Sequence, residues 1–309
     1  MTQAAILDNR AFLRLVGHEA RSLLQGLVTC DLRLLSAERS LYGALLTPQG
    51  KFGFAFHIVL EAGVDGGEEA ILLETSAQRL ADLERRLLLY RLRAPVAIER
   101  LTPEPKVALV FGKDAATLAE LNSTPGATVR ASGLTLQVDP RLAELGVRLY
   151  GDAGSIEAWL ARNRVHRVNA VLAEQHRIAL AIPEPDTDLV VDKTIMLEAG
   201  LDQLGAVAFD KGCFVGQELT ARTHYRGLVK RRLVPVELEA ADLEPGTPVL
   251  AAERDVGEIR SAAGGVGLAM LRLDRLGDPL RAGGGSVRPR PATWQSDLAE
   301  RLRRGASTD

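Results

Sequence analysis

The chain of 309 residues is long enough for two or three compact lobes, and its 46% apolar and 25% charged residues are typical of a globular protein. A net charge of −2 argues against a protein that mainly coats nucleic acid or an anionic membrane, and no apolar run approaches the roughly 20 residues that span a bilayer. Residues Met1–Arg14 predict neither a secretory signal nor a transit peptide. Cys30 and Cys213 cannot form a disulfide framework, so we expect a reduced, cytoplasmic protein.

The first part of the chain predicts strands, one hairpin and two helices. The turn Thr47–Gly50 separates two apolar runs and indicates the hairpin. Leucines recur at helical spacing after Ser76, which we expect to cap the second helix. In chain order, we predict strands at Ala4–Leu7 and Ala11–Leu15, a helix at Gly17–Gly26, hairpin strands at Tyr42–Leu46 and Phe52–Leu60, a strand at Glu69–Glu74, and a helix with Leu80, Leu83, Leu87 and Tyr90 on one face.

Strands and helices continue after Pro95 without the strict alternation of a βαβ fold, which predicts an α+β body. The stretch Asn122–Thr128 is rich in turn residues, and Pro183 and Pro185 end the last helical pattern. We assign residues 1–232 to this body, as two interleaved subdomains. Its further predicted elements are strands at Val96–Glu99 and Val107–Phe111 and helices at Asp114–Leu121, Ser155–Arg164 and Asn169–Leu180.

After Lys230 the pattern changes to short strands separated by proline and glycine turns, which predicts a small C-terminal β-barrel over residues 233–281. The remaining residues, 282–309, mix glycine, proline and arginine and predict a mobile tail. The predicted barrel strands are Leu233–Leu238, Pro248–Ala252, Val256–Ser261 and Gly267–Leu273.

The segment most informative about function is Asp210–Gly227, which contains Cys213. Gly212 and Gly216 permit a sharp turn, and the following residues favour a helix, so Cys213 is expected just ahead of a helix N-terminus. That position, together with Lys211, would favour the thiolate and make Cys213 a candidate nucleophile, sulfur carrier or metal ligand. A lone cysteine is more often a small buried apolar residue, so these considerations leave both interpretations open.

The string Lys211–Glu218 reads K-G-C-F-V-G-Q-E, followed by Ala221-Arg222 and Arg226-Gly227. It resembles the K-G-C-[YF]-x-G-Q-E signature of the YgfZ/GcvT-like folate-binding family, with Phe214 where tyrosine is commoner. The resemblance extends over nearly the whole chain and implies a multi-lobed folate-binding α+β body with a C-terminal small β-barrel. It also implies a role in assembly or repair of iron–sulfur proteins, above all [4Fe–4S] proteins, among them radical-SAM enzymes that modify tRNA.

The same resemblance implies tetrahydrofolate, or a derivative, as the cofactor. The family shares its fold with the aminomethyltransferase of the glycine cleavage system, in which a Leu-Glu-Ala-Gly-Leu segment contacts the pteridine. Leu197–Leu201 has that sequence here, so Glu198 is implied to accept two parallel hydrogen bonds from the pteridine. By the signature match we extend the predicted folate site to Gln217, Glu218, Arg222 and Arg226, the two arginines facing the glutamate tail of folate or an acidic partner.

The transferase carries an aspartate after its first hairpin turn, where this chain has Phe54 and Ala55. Without that carboxylate we expect no aminomethyltransferase activity, since such a group contributes roughly a hundred- to ten-thousand-fold. We therefore predict an accessory factor rather than a conventional enzyme, with Cys213 transiently holding an iron, sulfur or carbon adduct and Lys211 assisting. We expect folate and iron–sulfur client proteins as partners, and no direct contact with nucleic acid or with a membrane.

Two alternatives remain open at the level of the sequence. A folate-dependent one-carbon (aminomethyl) transferase or demethylase would need another carboxylate, such as Asp210 or Glu218, at the folate nitrogen. An interaction scaffold would have a folate channel filled by apolar side chains. We predict no resident metal, because Cys213 and His224 make at best half of a zinc site. For Lys230–Arg232, a solvated strand end and an anion-binding segment are equally compatible with the sequence.

Overall fold

The computed structural model describes residues 1–61, 69–240 and 243–305, the side chains of 303–305 excepted. These residues form two compact units, each assembled from separate stretches of chain. The first comprises Met1–Pro48, Gly53–Ala173 and Gly205–Gln217, and the second comprises Gln49–Phe52, Glu174–Leu204 and the chain from Glu218 onward.

The first unit contains two β-sheets with helices packed on them. Its strands are β1 (Gln3–Ile6), β2 (Arg10–Val16), β3 (Leu41–Leu46), β4 (Phe52–Glu61), β5 (Ala70–Ser76), β6 (Ala97–Arg100), β7 (Lys106–Phe111), β8 (Thr128–Ala131), β9 (Leu134–Val138), β10 (Val147–Gly151) and β11 (His166–Arg167). Its helices are α1 (Ala20–Leu27), α2 (Leu80–Arg91), α3 (Ala115–Leu118), α4 (Ala153–Arg162) and α5 (Ala170–Ala179), the last of which continues into the second unit.

One sheet has five strands in the order β3-β4-β5-β2-β6, and the other has six in the order β11-β1-β7-β10-β9-β8. In the six-stranded sheet β1 pairs with β11 in parallel and with β7 antiparallel. The strands β8, β9 and β10 were not predicted, although the residues of β9, L-T-L-Q-V, alternate between apolar and polar. The α+β fold class predicted from the sequence is confirmed.

The helical face predicted for α2 is the face that packs. Leu80, Leu83 and Leu87 are buried in the core that the five-stranded sheet forms with α1 and α2, and Tyr90 packs against it while half-buried. Ser76 precedes a 3-10 turn at Ala77–Arg79, its side chain makes no capping hydrogen bond, and Arg79 stands at the N-cap of α2, so the predicted cap is wrong. The second core lies where Ile156, Trp159 and Leu160 of α4 meet the six-stranded sheet.

The second unit is built around a closed six-stranded barrel, which confirms the predicted C-terminal barrel. Its strand order is β12-β15-β14-β13-β16-β17. The ranges are β12 (Arg231–Leu238), β13 (Pro248–Ala251), β14 (Arg254–Ala263), β15 (Val266–Arg272), β16 (Leu280–Ala282) and β17 (Gly285–Pro289), with helices α6 (Pro185–Asp188), α7 (Gln217–Tyr225) and α8 (Ser296–Gly305).

The boundaries between the compact units differ from the predicted domain limits at residues 232 and 281. β16 straddles residue 281 and β17 lies wholly beyond it, and β17 closes the barrel by pairing with β12, with Val236 opposite Pro289. α8 follows them, and its Leu298 is fully buried in the barrel core. Residues 174–204 also pack with the barrel, since the buried carboxylate of Asp188 accepts hydrogen bonds from Arg177 and from Ser261 of β14. Short strands rich in glycine and arginine lack a periodic apolar signal, which is why the sequence alone does not reveal β16 and β17.

Candidate functional site

The loop that carries Cys213 is held at both sides of the cysteine. Gly212 and Gly216 have φ values of +100° and +81°, a region that favours glycine. After Cys213, Phe214 is 6% exposed, and Val215 packs against the core of the first unit. Cys213 itself is exposed, between buried neighbours at positions 211 and 214. The loop therefore presents a thiol to solvent from a fixed backbone.

Lys211 is the anchor on the N-terminal side of the cysteine. Its ammonium is buried and donates hydrogen bonds to the carbonyl oxygens of Val28 at 2.7 Å and Cys30 at 2.6 Å. It also lies 5.5 Å from the ring centre of Phe214. Burial lowers the pKa of Lys211 to about 8, opposed by the nearby Cys30 and Asp31. The contacts of this side chain are thus those of a structural group, and its assistance to Cys213 stays a prediction.

The second cysteine is placed differently. Cys30 is 3% exposed, and burial raises the pKa of its thiol to about 12. A Cβ added to Gly43 would lie 2.5 Å from its sulfur, so the side chain has no spare room on that side. Cys30 is therefore a core residue.

Glu198 lies in a short turn of the second unit whose other residues are mostly buried. Met196, Leu197 and Ala199 are at most 3% exposed, whereas Glu198 is half-buried. Its Oε2 accepts a hydrogen bond from the Ile195 N–H at 3.2 Å, and its own carbonyl accepts one from Leu233 N–H at 2.7 Å. The backbone on both sides of the carboxylate is therefore fixed, while the carboxylate itself remains partly open.

Arg232 supports this turn, a role that sequence reasoning did not assign. Its guanidinium is buried and donates from Nη1 to the carbonyl of Leu197 and from Nη2 to Oε1 of Gln203, both at 2.9 Å. Its neighbours Lys230 and Arg231 are exposed. Successive side chains of a strand point to opposite sides, and this alternation along β12 was the sequence signal that could have separated Arg232 from Arg231.

The helix α7 begins four residues after Cys213, which confirms the predicted loop-to-helix arrangement. Gln217 is half-buried at its start, and its N–H donates to the carbonyl of Phe214 at 3.1 Å. The exposed face of α7 carries Glu218 and Arg222, and exposed Arg226 directly follows the helix, whereas Thr220 and Thr223 are buried.

The predicted residues are distributed over both units. Lys211, Cys213 and Gln217 belong to the first, and Glu198, Glu218, Arg222 and Arg226 belong to the second. Within the second unit, Glu218 and Arg222 lie on α7 and Arg226 directly follows that helix, while Glu198 lies in a different segment. No group of three or more His, Cys, Asp or Glu side chains that could hold a metal ion occurs among the residues with described positions.

A buried charged cluster joins the two sheets of the first unit, and it was not predicted. Glu74 of β5 is fully buried and accepts hydrogen bonds from Arg10, from Arg148 at 2.6 Å and from Tyr150 at 2.8 Å. Burial alone would raise the pKa of Glu74, but Arg10 and Arg148 outweigh it and hold that pKa well below the usual range. Arg148 and Tyr150 belong to β10, so these hydrogen bonds link β5 of one sheet to β10 of the other.

Phe54 and Ala55 lie in β4. By the family resemblance, these positions correspond to the aspartate that the transferase carries after its first hairpin turn. Phe54 and Ala55 are 7% and 5% exposed, and the guanidinium carbon of Arg79 lies 4.6 Å from the centre of the Phe54 ring. These positions therefore contribute apolar packing and an arginine–aromatic contact.

The fold defined by these two units is that of the glycine cleavage aminomethyltransferase. The crystal structure of aminomethyltransferase T from Bartonella henselae superposes with a TM-score of 0.77, covering 94% of this chain and 85% of that one, at 15% sequence identity. At that identity the likeness establishes the fold. The model of the CAF17 C-terminal beta-barrel domain matches residues 230–297.

Sequence relatives establish the family. The chain is 34% identical over 294 residues to the human mitochondrial iron–sulfur cluster assembly factor IBA57, covering 89% of this chain and 78% of that protein. The mouse factor is 32% identical over 290 residues, with the same coverage. The chain belongs to the family of the IBA57 iron–sulfur cluster assembly factors, which confirms the predicted YgfZ/GcvT-like family.

The comparisons overturn the predicted cytoplasmic location, because the human and mouse relatives are mitochondrial proteins. The prediction rested on the composition of the first residues and on the cysteine count. Over the ranges that the structure describes, no helix has the length and apolarity needed to cross a membrane.

Proposed function

We propose that this protein is an accessory factor in the assembly or repair of iron–sulfur proteins, binds tetrahydrofolate and acts through Cys213. The observation that carries the proposal is the exposed thiol of Cys213 on a loop anchored by Lys211 and Phe214. The family relationship supports the iron–sulfur role, since the human and mouse relatives are named for cluster assembly.

Cys213 suits the role of a transient ligand to a cluster iron. Deprotonation gives a thiolate, the form of cysteine that binds metals. The described residues contain no group of three or more His, Cys, Asp or Glu side chains that could hold a metal ion, so Cys213 would bind iron together with ligands that a client or partner supplies. The interaction is therefore transient, which is the behaviour required of an assembly factor.

Tetrahydrofolate is the proposed cofactor, with Glu198 as the pteridine contact. A half-buried carboxylate can accept two parallel hydrogen bonds from a pteridine ring N–H and its amino group. Arg232 holds the backbone next to this carboxylate through Leu197. Gln217, Glu218, Arg222 and Arg226 complete the proposed folate contacts, with the two exposed arginines facing anionic groups.

The thiol is tested by replacing the endogenous protein in cells with Cys213→Ala or with Cys30→Ala, a control that removes the other thiol. We expect Cys213→Ala to lower the activity of [4Fe–4S] enzymes, radical-SAM tRNA modification among them, while the amount of folded protein stays unchanged. Normal [4Fe–4S] activities with Cys213→Ala would refute the role of the thiol. A loss of folded protein with this variant would instead mark Cys213 as structural.

Folate is tested separately by anaerobic calorimetric titration with tetrahydrofolate. We expect saturable binding that Glu198→Ala weakens by about 1–3 kcal/mol, the range for a hydrogen bond to a charged group. Glu244→Ala removes an exposed carboxylate in the same unit and should leave binding unchanged. Absence of binding by the unsubstituted protein would refute the cofactor while leaving the thiol experiment valid.

A further inference from the structure

A cavity of about 540 Å³ opens at one end of the barrel of the second unit, and its lining is strongly basic. Its walls include Lys230, Arg231, Arg272 and Arg301, with Asp274 as the one acidic side chain. Four cations against one carboxylate leave a formal charge of +3 in a chain whose net charge is −2. The basic character of this cavity is therefore local.

Three separate chain segments bring these cations together. Arg231 of β12 lies directly opposite Arg272 of β15 in the antiparallel register, and Leu273 N–H donates to the carbonyl of Lys230 at 2.9 Å. Arg301 comes from α8, whose Leu298 is buried in the barrel core. The backbone positions of these side chains are thus set by barrel pairing and by helix packing.

Like charges directly opposite one another destabilise a strand pair. Among the residues with described side chains, Lys230, Arg231 and Arg301 form no ion pair that would offset this repulsion. Only Arg272 is paired, through Nε at 3.0 Å and Nη2 at 2.7 Å to Asp274. That pair orients its guanidinium and leaves Nη1 available as a donor.

We propose that this cavity binds a small organic or inorganic polyanion carrying at least two carboxylate or phosphate groups. Planar guanidinium groups match both kinds of anion with paired hydrogen bonds, and Lys230 adds a point charge. The volume lies within the range of small-molecule sites. Val229 and Leu273 provide the apolar part of the wall, so a ligand with a short carbon chain between its anionic groups fits the lining. The site does not depend on the folate or thiol roles proposed above.

The experiment is isothermal titration of the full-length protein with citrate and, separately, with pyrophosphate, at two salt concentrations. We expect saturable binding of at least one probe, weaker at higher salt because the ion contacts are exposed. The double variant Lys230→Gln/Arg301→Gln should weaken binding by at least about tenfold, since it removes two charged contacts. The control Arg288→Gln/Arg290→Gln removes the same charge from exposed positions that pair with Glu237, and should bind normally.

Three outcomes would overturn the proposal. The first is that neither probe binds in a saturable way, and the second is that the control loses as much affinity as the cavity variant, which would indicate attraction by overall charge. Binding of a hexaglutamate peptide in place of both small anions would assign the surface to an acidic protein segment. Melting temperatures of both double variants ensure that a loss of binding is not a loss of folding. Citrate and pyrophosphate affinities together tell a carboxylate ligand from a phosphate ligand.

Discussion

Arg232 donates a hydrogen bond to the carbonyl oxygen of Leu197 at 2.9 Å, so a buried guanidinium from the first strand of the barrel holds the residue before Glu198. The same group donates to Gln203 and lies 3.7 Å from Asp297 of α8. One side chain thus ties the turn of the proposed pteridine contact to the barrel and its final helix, all within the second unit.

Replacing Arg232 with methionine should lower the free energy of unfolding by about 1–3 kcal/mol, because the Leu197 carbonyl and Gln203 Oε1 lose a buried donor. Arg231→Met is the matched control: Arg231 is exposed, and we expect a change within about 0.5 kcal/mol. Urea unfolding monitored by circular dichroism measures both. Equal effects of the two variants would show that the buried contacts of Arg232 contribute nothing beyond its charge.

The two thiols should differ in accessibility. In the native protein we expect a thiol reagent to modify one equivalent quickly, at exposed Cys213, and a second only after unfolding, at Cys30. The high pKa of Cys30, about 12, keeps it protonated and unreactive at neutral pH. Cys213→Ala should abolish the fast equivalent, and Cys30→Ala should retain it. Two equivalents reacting at one rate in the folded protein would contradict the described burial.

Glu74 should make stability depend on pH in the acid range. Its pKa is lowered in the folded protein, so its contribution is present above the unfolded carboxyl pKa of about 4 and is lost as pH falls through the folded value. Glu74→Gln should destabilise by about 3–5 kcal/mol at pH 7, because Arg10 and Arg148 lose a buried partner. The difference from the unsubstituted protein should then shrink below pH 4.

The matched control for Glu74 is Glu99→Gln, at an exposed carboxylate of the same sheet that lies 3.9 Å from Arg14. We expect it to change stability by less than about 0.5 kcal/mol at every pH. Denaturant unfolding between pH 7 and pH 2 supplies both curves. A pH-independent difference between Glu74→Gln and the unsubstituted protein would contradict the lowered pKa.

Gly200 should tolerate alanine less well than Gly205. Both have positive φ, +73° and +71°, so each substitution carries about 1–2 kcal/mol of backbone strain. A Cβ at Gly200 would also lie 2.9 Å from two ring atoms of Trp294, whereas nothing lies within 4 Å of one at Gly205. We expect Gly200→Ala to cost about 1–3 kcal/mol more. Melting temperatures measure this, and equal shifts would mean that Trp294 moves aside freely.

The sequence predicted those elements whose signal is local and strong. The leucine spacing of α2, the hairpin of β3 and β4, and the first four barrel strands all appear near their predicted positions. The strands β8, β9, β10, β16 and β17 were not predicted; in β16 and β17, short length, glycine and arginine obscure the two-residue alternation that marks a strand. Their place is decided by pairing with strands distant in the chain, such as β17 with β12.

In the candidate site too, some features follow from local sequence and others depend on contacts between residues distant in the chain. The motif at 211–218 led to the family and to an anchored loop ahead of a helix, because glycine positions and residue types are properties of the chain itself. Nothing local announces that the Lys211 ammonium reaches the carbonyl of Cys30, 181 positions away in the chain.

By itself, then, the sequence determined the fold class, the family and the residues of the signature. Only the tertiary structure decided which charged groups are buried and which are exposed. Arg231 and Arg232 are adjacent and chemically identical, yet one lines an open cavity and the other supports the Glu198 turn. A strand turns successive side chains to opposite sides, and closure of the barrel decides which side faces protein and which faces water.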